Sequence, residues 1–152
     1  MNKGDYIKRI ADKLVKDLKP FSKKIEIAGS IRRKEQNPKD IDIVIIPNDK
    51  EKIEQVLEKQ GERILGGENK AYFKIKKVKV ELYYTNNEEW GAALLAYSSK
   101  VGSAIGLRIV ARLKGFKLNQ HGLFKKGKRI AGKTEMEIYH ALGRKWKKPE
   151  ER

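Results

Sequence analysis

An α+β fold in two lobes is what this 152-residue sequence predicts. Three observations lead to it. The first half runs helix–strand–strand–helix–strands, with two of the strands consecutive at 71–84. The second half turns helical, with one small hairpin. The charge changes with it: residues 96–152 carry 15 Lys+Arg against 4 Asp+Glu, whereas residues 1–95 carry 21 against 16. The lobes are therefore drawn as 1–95 and 96–152.

The elements follow from local pattern. Tyr6, Ile7, Ile10, Leu14, Val15 and Leu18 recur at three- and four-residue steps, so 3–19 forms an amphipathic helix that stops before Pro20. Residues 24–28 alternate as a short strand, and 40–46 form a second, stopped by Pro47. A helix over 49–60 sets Ile53, Val56 and Leu57 on one side, with Gly61 as its stop. Ile64 and Leu65 suggest a short strand before Gly66-Gly67. Strands at 71–76 and 78–84 meet at Lys76-Lys77, a turn without Asn or Gly. Helices are expected at 88–98 and 102–114, a hairpin turning at 126–127, and a last helix at 134–142. Thr134 and Glu137 have the spacing of a capping box there.

Composition bounds the function. A net charge of +16 favours a polyanionic partner. No apolar run approaches the ~20 residues of a membrane span, and no signal peptide is visible. The chain has no cysteine, hence no thiolate metal site and no disulfide. The expectation is an intracellular protein (cytoplasm, nucleoid or viral), not secreted, with no membrane partner.

The chemistry concentrates at 28–45. In a strand, residues i and i+2 face the same way, so Asp40 and Asp42 share a face, ~6.5–7 Å apart at the backbone, while Ile41, Ile43 and Ile45 fill a core. Two carboxylates suit a hard cation such as Mg²⁺. Solvated acids at a strand entrance, or acids paired with Lys or Arg, fit the same spacing. Upstream, Gly29 lets backbone N–H groups approach an anion, Ser30 offers a hydroxyl, and Arg33 can fork onto phosphate oxygens. Glu81 shares a face with Lys79 and Tyr83. If its strand lies beside 40–46, it can point at the same metals.

These residues resemble a family. G-S-x-R-R at 29–33, D-x-D ten residues after the serine, and an acid on a later strand resemble the palm of the family X DNA polymerases, the DNA polymerase beta group. "YSSKVGSAIGLRIVARLKGFKLNQHGLF" and "TEMEIYHALGRKWKKPEER" resemble that family's nucleotide-binding turn, thumb and C-terminal signature. The likeness covers residues ~5–152, in a form reduced to palm and thumb like the short viral members.

The resemblance implies a nucleotidyltransferase palm, with a mixed or antiparallel sheet and helices, followed by a small, mainly helical thumb. It implies template-directed addition of dNMP to a primer 3′-hydroxyl by two metal ions, in short-gap repair synthesis. Asp40, Asp42 and Glu81 would be catalytic and bind the Mg²⁺ ions, with Mn²⁺ as an alternative. Glu81 would also help deprotonate the primer hydroxyl. Gly29, Ser30, Arg33, Tyr97 and Ser98 would bind the nucleotide. Lys79, Arg108, Arg112, Lys114, Lys125 and Lys126 would contact DNA.

The implied partners are gapped or primer-template DNA and a dNTP, the implied state a monomer. Three positions depart from the pattern: Glu81 stands for the usual Asp, Ser99 for Gly, and Ala104 for a frequent Asn. No counterpart of the family's N-terminal lyase domain is seen, so no 5′-deoxyribose phosphate lyase activity is expected. Two other readings stay open: a template-independent nucleotidyltransferase acting on a small molecule or RNA end, and a catalytically weak DNA-end binder.

Overall fold

The structure, a computed structural model, describes residues 2–152 and divides the chain into two units, Met1–Thr85 and Asn86–Arg152. Each unit is built around its own apolar cluster.

The first unit rests on helix α1 (Lys3–Leu18), strand β1 (Ser22–Ile27), one turn of helix α2 (Gly29–Arg32), β2 (Ile41–Pro47), α3 (Lys50–Glu58), β3 (Gly61–Leu65), β4 (Lys70–Ile75) and β5 (Val78–Tyr84). Side chains cap both long helices: Asn2 accepts from the Asp5 N–H at 2.8 Å, and Asp49 from the Lys52 N–H at 3.1 Å. The five strands form one sheet in the order β1-β2-β5-β4-β3. It is a mixed sheet, because β2 and β5 pair in parallel and the other neighbours antiparallel.

Alternation decides which face is buried. Ile41, Ile43 and Ile45 of β2, Val78, Val80 and Leu82 of β5, and Ala71, Phe73 and Ile75 of β4 pack with Ile7, Leu14, Ile53 and Leu57 of the helices. The intervening residues turn to the opposite face, which is where the polar residues of β5 stand. β2 is central, so Val44 and Ile46 are buried on that side too.

Two local features depart from the expected pattern, and a third, the turn at Lys76-Lys77, follows it. Gly61 is the first residue of β3 and not a helix stop: a Cβ there would lie 2.2 Å from the Lys74 carbonyl oxygen, so glycine allows close strand pairing. Lys76 and Lys77 form a true two-residue turn, with φ of 50° and 68°. The second strand begins at Ile41, leaving Asp40 just ahead of it.

The second unit holds α4 (Trp90–Ser98), α5 (Val101–Leu113), β6 (Lys117–Asn119), β7 (Gly122–Lys125), β8 (Lys128–Ala131) and α6 (Glu135–Ala141). The hairpin turn falls at Lys126-Gly127, both with positive φ, and β6 adds a third strand to the expected pair. Thr134 caps α6, accepting from the Glu137 N–H at 3.1 Å.

The unit boundary lies at 85/86, ahead of the break drawn at 95. The cause is α4, buried along most of its length, whose Gly91 fits so close to Thr134 that a Cβ would lie 2.2 Å from its carbonyl carbon. The Gly91 and Ala92 N–H groups donate to the carbonyls of Lys133 and Gly132 at 3.1 and 3.0 Å. With that boundary, 86–152 carries 15 Lys+Arg against 6 Asp+Glu, still the more basic part per residue. Among the described residues no helix is long and apolar enough to cross a membrane.

Candidate active site

The site in the first unit begins with strand register. Because β5 pairs with β2 in parallel, Asp42 stands directly opposite Glu81. Tyr72 of β4 stands opposite Glu81 on its other side. Lys79 and Tyr83 flank Glu81 at i−2 and i+2, so period two gathers Lys79, Glu81 and Tyr83 on one face of β5.

Hydrogen bonds tie these side chains together. Lys79 Nζ lies 2.8 Å from Glu81 Oε1 and over the Tyr72 ring, 4.9 Å from its centroid. The Tyr83 hydroxyl donates toward Glu81 Oε2 and lies 3.1 Å from Asp42 Oδ1. Asp40, exposed at the mouth of β2, adds its charge to that of Asp42.

The two central acids are tuned in opposite directions. Burial is the largest influence on Asp42 and raises its pKa to about 6; the negative charges of Glu81 and Asp40 push the same way, and the Tyr83 hydrogen bond opposes them. Burial acts to raise Glu81 as well. There the hydrogen bonds from Lys79 and Tyr83 prevail, and its pKa falls below the ordinary glutamate value. The Tyr83 hydroxyl is raised far above its usual range by burial and by the Glu81 carboxylate, so it is a donor at every working pH.

Gly29 closes on the same point from β1. Its φ is +61°, and a Cβ on it would lie 2.2 Å from Asp42 Oδ2. Only glycine lets the turn into α2 approach that carboxylate. The Ala28 N–H donates to the Asp42 carbonyl at 2.7 Å, fixing the turn against β2. Ser30 follows in the first turn of α2. Arg33 ends it, with Nε and Nη2 both on Glu35 Oε2, at 2.9 and 2.7 Å.

Thus Gly29, Asp42, Glu81 and Lys79 are brought together, with Asp40 at the edge. Among the described residues no three acidic or histidine side chains are gathered tightly enough to hold an ion as they stand. Glu81 is turned to Lys79 and Tyr83. Sequence reasoning missed Tyr83 as a bridge and Glu35 as the partner of Arg33. The alternation that singled out Glu81 also put Tyr83 on its face; nothing local pointed to Glu35.

The remaining candidates belong to the second unit. Tyr97 and Ser98 end α4; Tyr97 is partly exposed and Ser98 fully buried. Arg108 is exposed on α5 and lines a small hollow with Ala92, Leu95, Ser99, Ala104 and Asn119. Arg112 and Lys114 are exposed at the end of α5. Lys125 lies over the Phe116 ring at 5.9 Å, and Lys126 sits in the exposed turn. Beside Arg108 and Arg112, an exposed ridge of Val101, Ile105, Ile109 and Leu113 runs along α5 at four-residue steps.

The chain has known relatives. Residues 93–152 match the family model of the DNA polymerase beta thumb. Over 149 residues the chain is 32% identical to repair DNA polymerase X of African swine fever virus, isolate Pig/Kenya/KEN-50/1950, covering 89% of this chain and 84% of that one. The namesake from isolate Warthog/Namibia/Wart80/1980 is 31% identical over 147 residues, with the same coverage. DNA polymerase IV of Saccharomyces cerevisiae is 37% identical over 65 residues, 43% of this chain and 11% of the yeast protein.

Proposed function

We propose a gap-filling role for this chain, which belongs to the family X DNA polymerases. It is a DNA polymerase of repair, with DNA as its substrate and a dependence on a divalent metal ion. Within that class, the proposed reaction is template-directed. A primer 3′-hydroxyl attacks the α-phosphorus of a dNTP, a new P–O bond forms, and pyrophosphate leaves.

The observation that carries the proposal is the face-to-face pairing of Asp42 and Glu81 on parallel strands, with the Gly29 turn seated on Asp42. The donor set fits Mg²⁺: all its oxygens are carboxylate, and Asp42 lacks a cation strong enough to offset burial and its acidic neighbours. Asp40, Asp42 and Glu81 would hold two Mg²⁺, with Mn²⁺ as an alternative. Bound there, the ions would neutralise triphosphate charge and acidify the attacking hydroxyl.

The chain's own groups do the rest. Glu81, held below the ordinary glutamate pKa, is ionised at neutral pH and so available as a metal ligand, and it would help deprotonate the primer hydroxyl. Gly29 admits the triphosphate to the backbone of the turn, Ser30 offers a hydroxyl, and Arg33 grips phosphate oxygens by exchanging its contact with Glu35. Tyr97 and Ser98 are assigned to the sugar. Lys79, Arg108, Arg112, Lys114, Lys125 and Lys126 are assigned to DNA, with the first unit as palm, the second as thumb, and a monomer as the working state.

The template-independent reading is not favoured, since it has no need of a polymerase thumb. Extension of a gapped duplex with Mg²⁺ and dNTPs, abolished in Asp42→Asn, is the expected result. Undiminished extension by that variant would remove Asp42 from the site.

A further inference from the structure

Tyr83 has no role in the function described so far, yet its hydroxyl lies between the two facing acids. It donates toward Glu81 Oε2 and lies 3.1 Å from Asp42 Oδ1. A phenol carries one proton, so a single donor serves two carboxylates on neighbouring strands. Among side chains that could occupy a position at i+2 from Glu81, few could do this. A phenylalanine has no donor, and a lysine or arginine would add a second full positive charge beside that of Lys79, which already sits on Glu81.

The consequence concerns Glu81. Its side chain is longer than that of Asp42 and free to swing about one more bond, so register alone does not fix where its oxygens lie. Lys79 takes Oε1 at 2.8 Å, and Tyr83 takes Oε2. Both oxygens are thereby fixed before anything binds. Ordering a glutamate side chain costs rotamer entropy, and here that ordering has already taken place on folding. A carboxylate offers about four lone-pair sites, so two accepted hydrogen bonds leave room for an ion. The Tyr83 ring is itself half-buried on the sheet, which holds its hydroxyl between the two acids.

We propose that Tyr83 is a positioning residue for the divalent-metal site: its hydroxyl presets the Glu81 carboxylate against Asp42 and thereby strengthens metal binding. The proposal rests on the assignment of Asp42 and Glu81 as metal ligands.

The test uses the full-length protein without DNA or nucleotide and reads Mn²⁺ binding by the loss of the free-ion EPR signal. Wild type, Tyr83→Phe, Glu81→Asp, the double variant and Asp42→Asn are compared. Outer partners of metal ligands typically contribute about 10- to 100-fold in affinity. Tyr83→Phe is therefore expected to weaken Mn²⁺ binding about 10-fold while its metal-free melting temperature stays close to that of wild type. Tyr83→Phe and Glu81→Asp act on the same carboxylate, so their combined effect is expected to be less than the product of the two.

In gapped-primer extension, Tyr83→Phe is expected to lower kcat and leave the KM for dNTP nearly unchanged. Unchanged or tighter Mn²⁺ binding by Tyr83→Phe, or fully independent effects of the two substitutions, would overturn the role of Tyr83. Mn²⁺ binding by Asp42→Asn equal to wild type would instead overturn the metal-site assignment beneath it. The two failures are thus told apart.

Discussion

Asp42 is a carboxylate held against its own charge. Its pKa near 6 lies above the unfolded value of 3.8, so the folded chain binds more protons than the unfolded chain between those two points. Stability therefore falls as pH rises from about 4 to about 6 and stays lowered above, by about 3 kcal/mol at most. Asp42→Asn removes that penalty. The metal-free variant is expected to unfold at higher denaturant than wild type at pH 7.5 and at nearly the same concentration at pH 4, while losing primer extension. Urea titrations at the two pH values check it. A residue that costs stability and supports activity is what a metal site without its metal requires.

Gly29 yields a second prediction at this scale. Gly29→Ala must place a Cβ within 2.2 Å of Asp42 Oδ2 from a backbone of positive φ. The expected cost is more than about 1 kcal/mol of stability, with extension reduced in steady-state assays. The Gly-Ser and D-x-D spacing marked Gly29 as a point of close approach for an anion, but the contact with Asp42 emerges only in the fold. The ion pair of Arg33 with Glu35 was not legible, because it depends on how the chain turns after α2 and not on any periodicity.

At the scale of elements, sequence periodicity located nearly every helix and strand to within two or three residues, since most bury one face. What escaped it was short or symmetric. β6 has three residues, too few to show a period. α4 is apolar nearly all round, so no stripe told which lobe it joins; the fit of Gly91 against Thr134 decides that, between residues far apart in the chain. The β4–β5 turn lies where the strand pattern put it, although its residues are poorly suited to its geometry. Both Lys76 and Lys77 adopt positive φ, a conformation that favours Asn and Gly. Lys77→Gly is expected to stabilise the protein by about 0.5–1 kcal/mol without altering extension, as thermal or urea unfolding would register.

For the whole molecule, charge is the governing quantity. The basic second unit and the net +16 suit a partner gripped through its phosphates, whatever its sequence. Lys125 and Lys126, exposed at the hairpin turn, are expected to act this way. Replacing both with Ala should weaken binding to gapped duplexes of any sequence and flatten the log–log salt dependence by up to about 2, close to one per lost phosphate contact. Fluorescence anisotropy over a salt series measures both. Unequal losses among duplex sequences would point to base readout instead.

Composition alone reached only "polyanion binder". The polymerase reading came from motifs spread over both units, whose meaning lies in resemblance and not in any single spacing. Its most direct test is extension of a one-nucleotide-gapped duplex with Mg²⁺, each of the four dNTPs offered singly against each of the four template bases. The expected result is that the complementary nucleotide is added fastest on every template, and that Asp42→Asn adds none. Addition that ignores the template, or extension that survives the loss of Asp42, would contradict a template-directed reaction centred on Asp42 and Glu81.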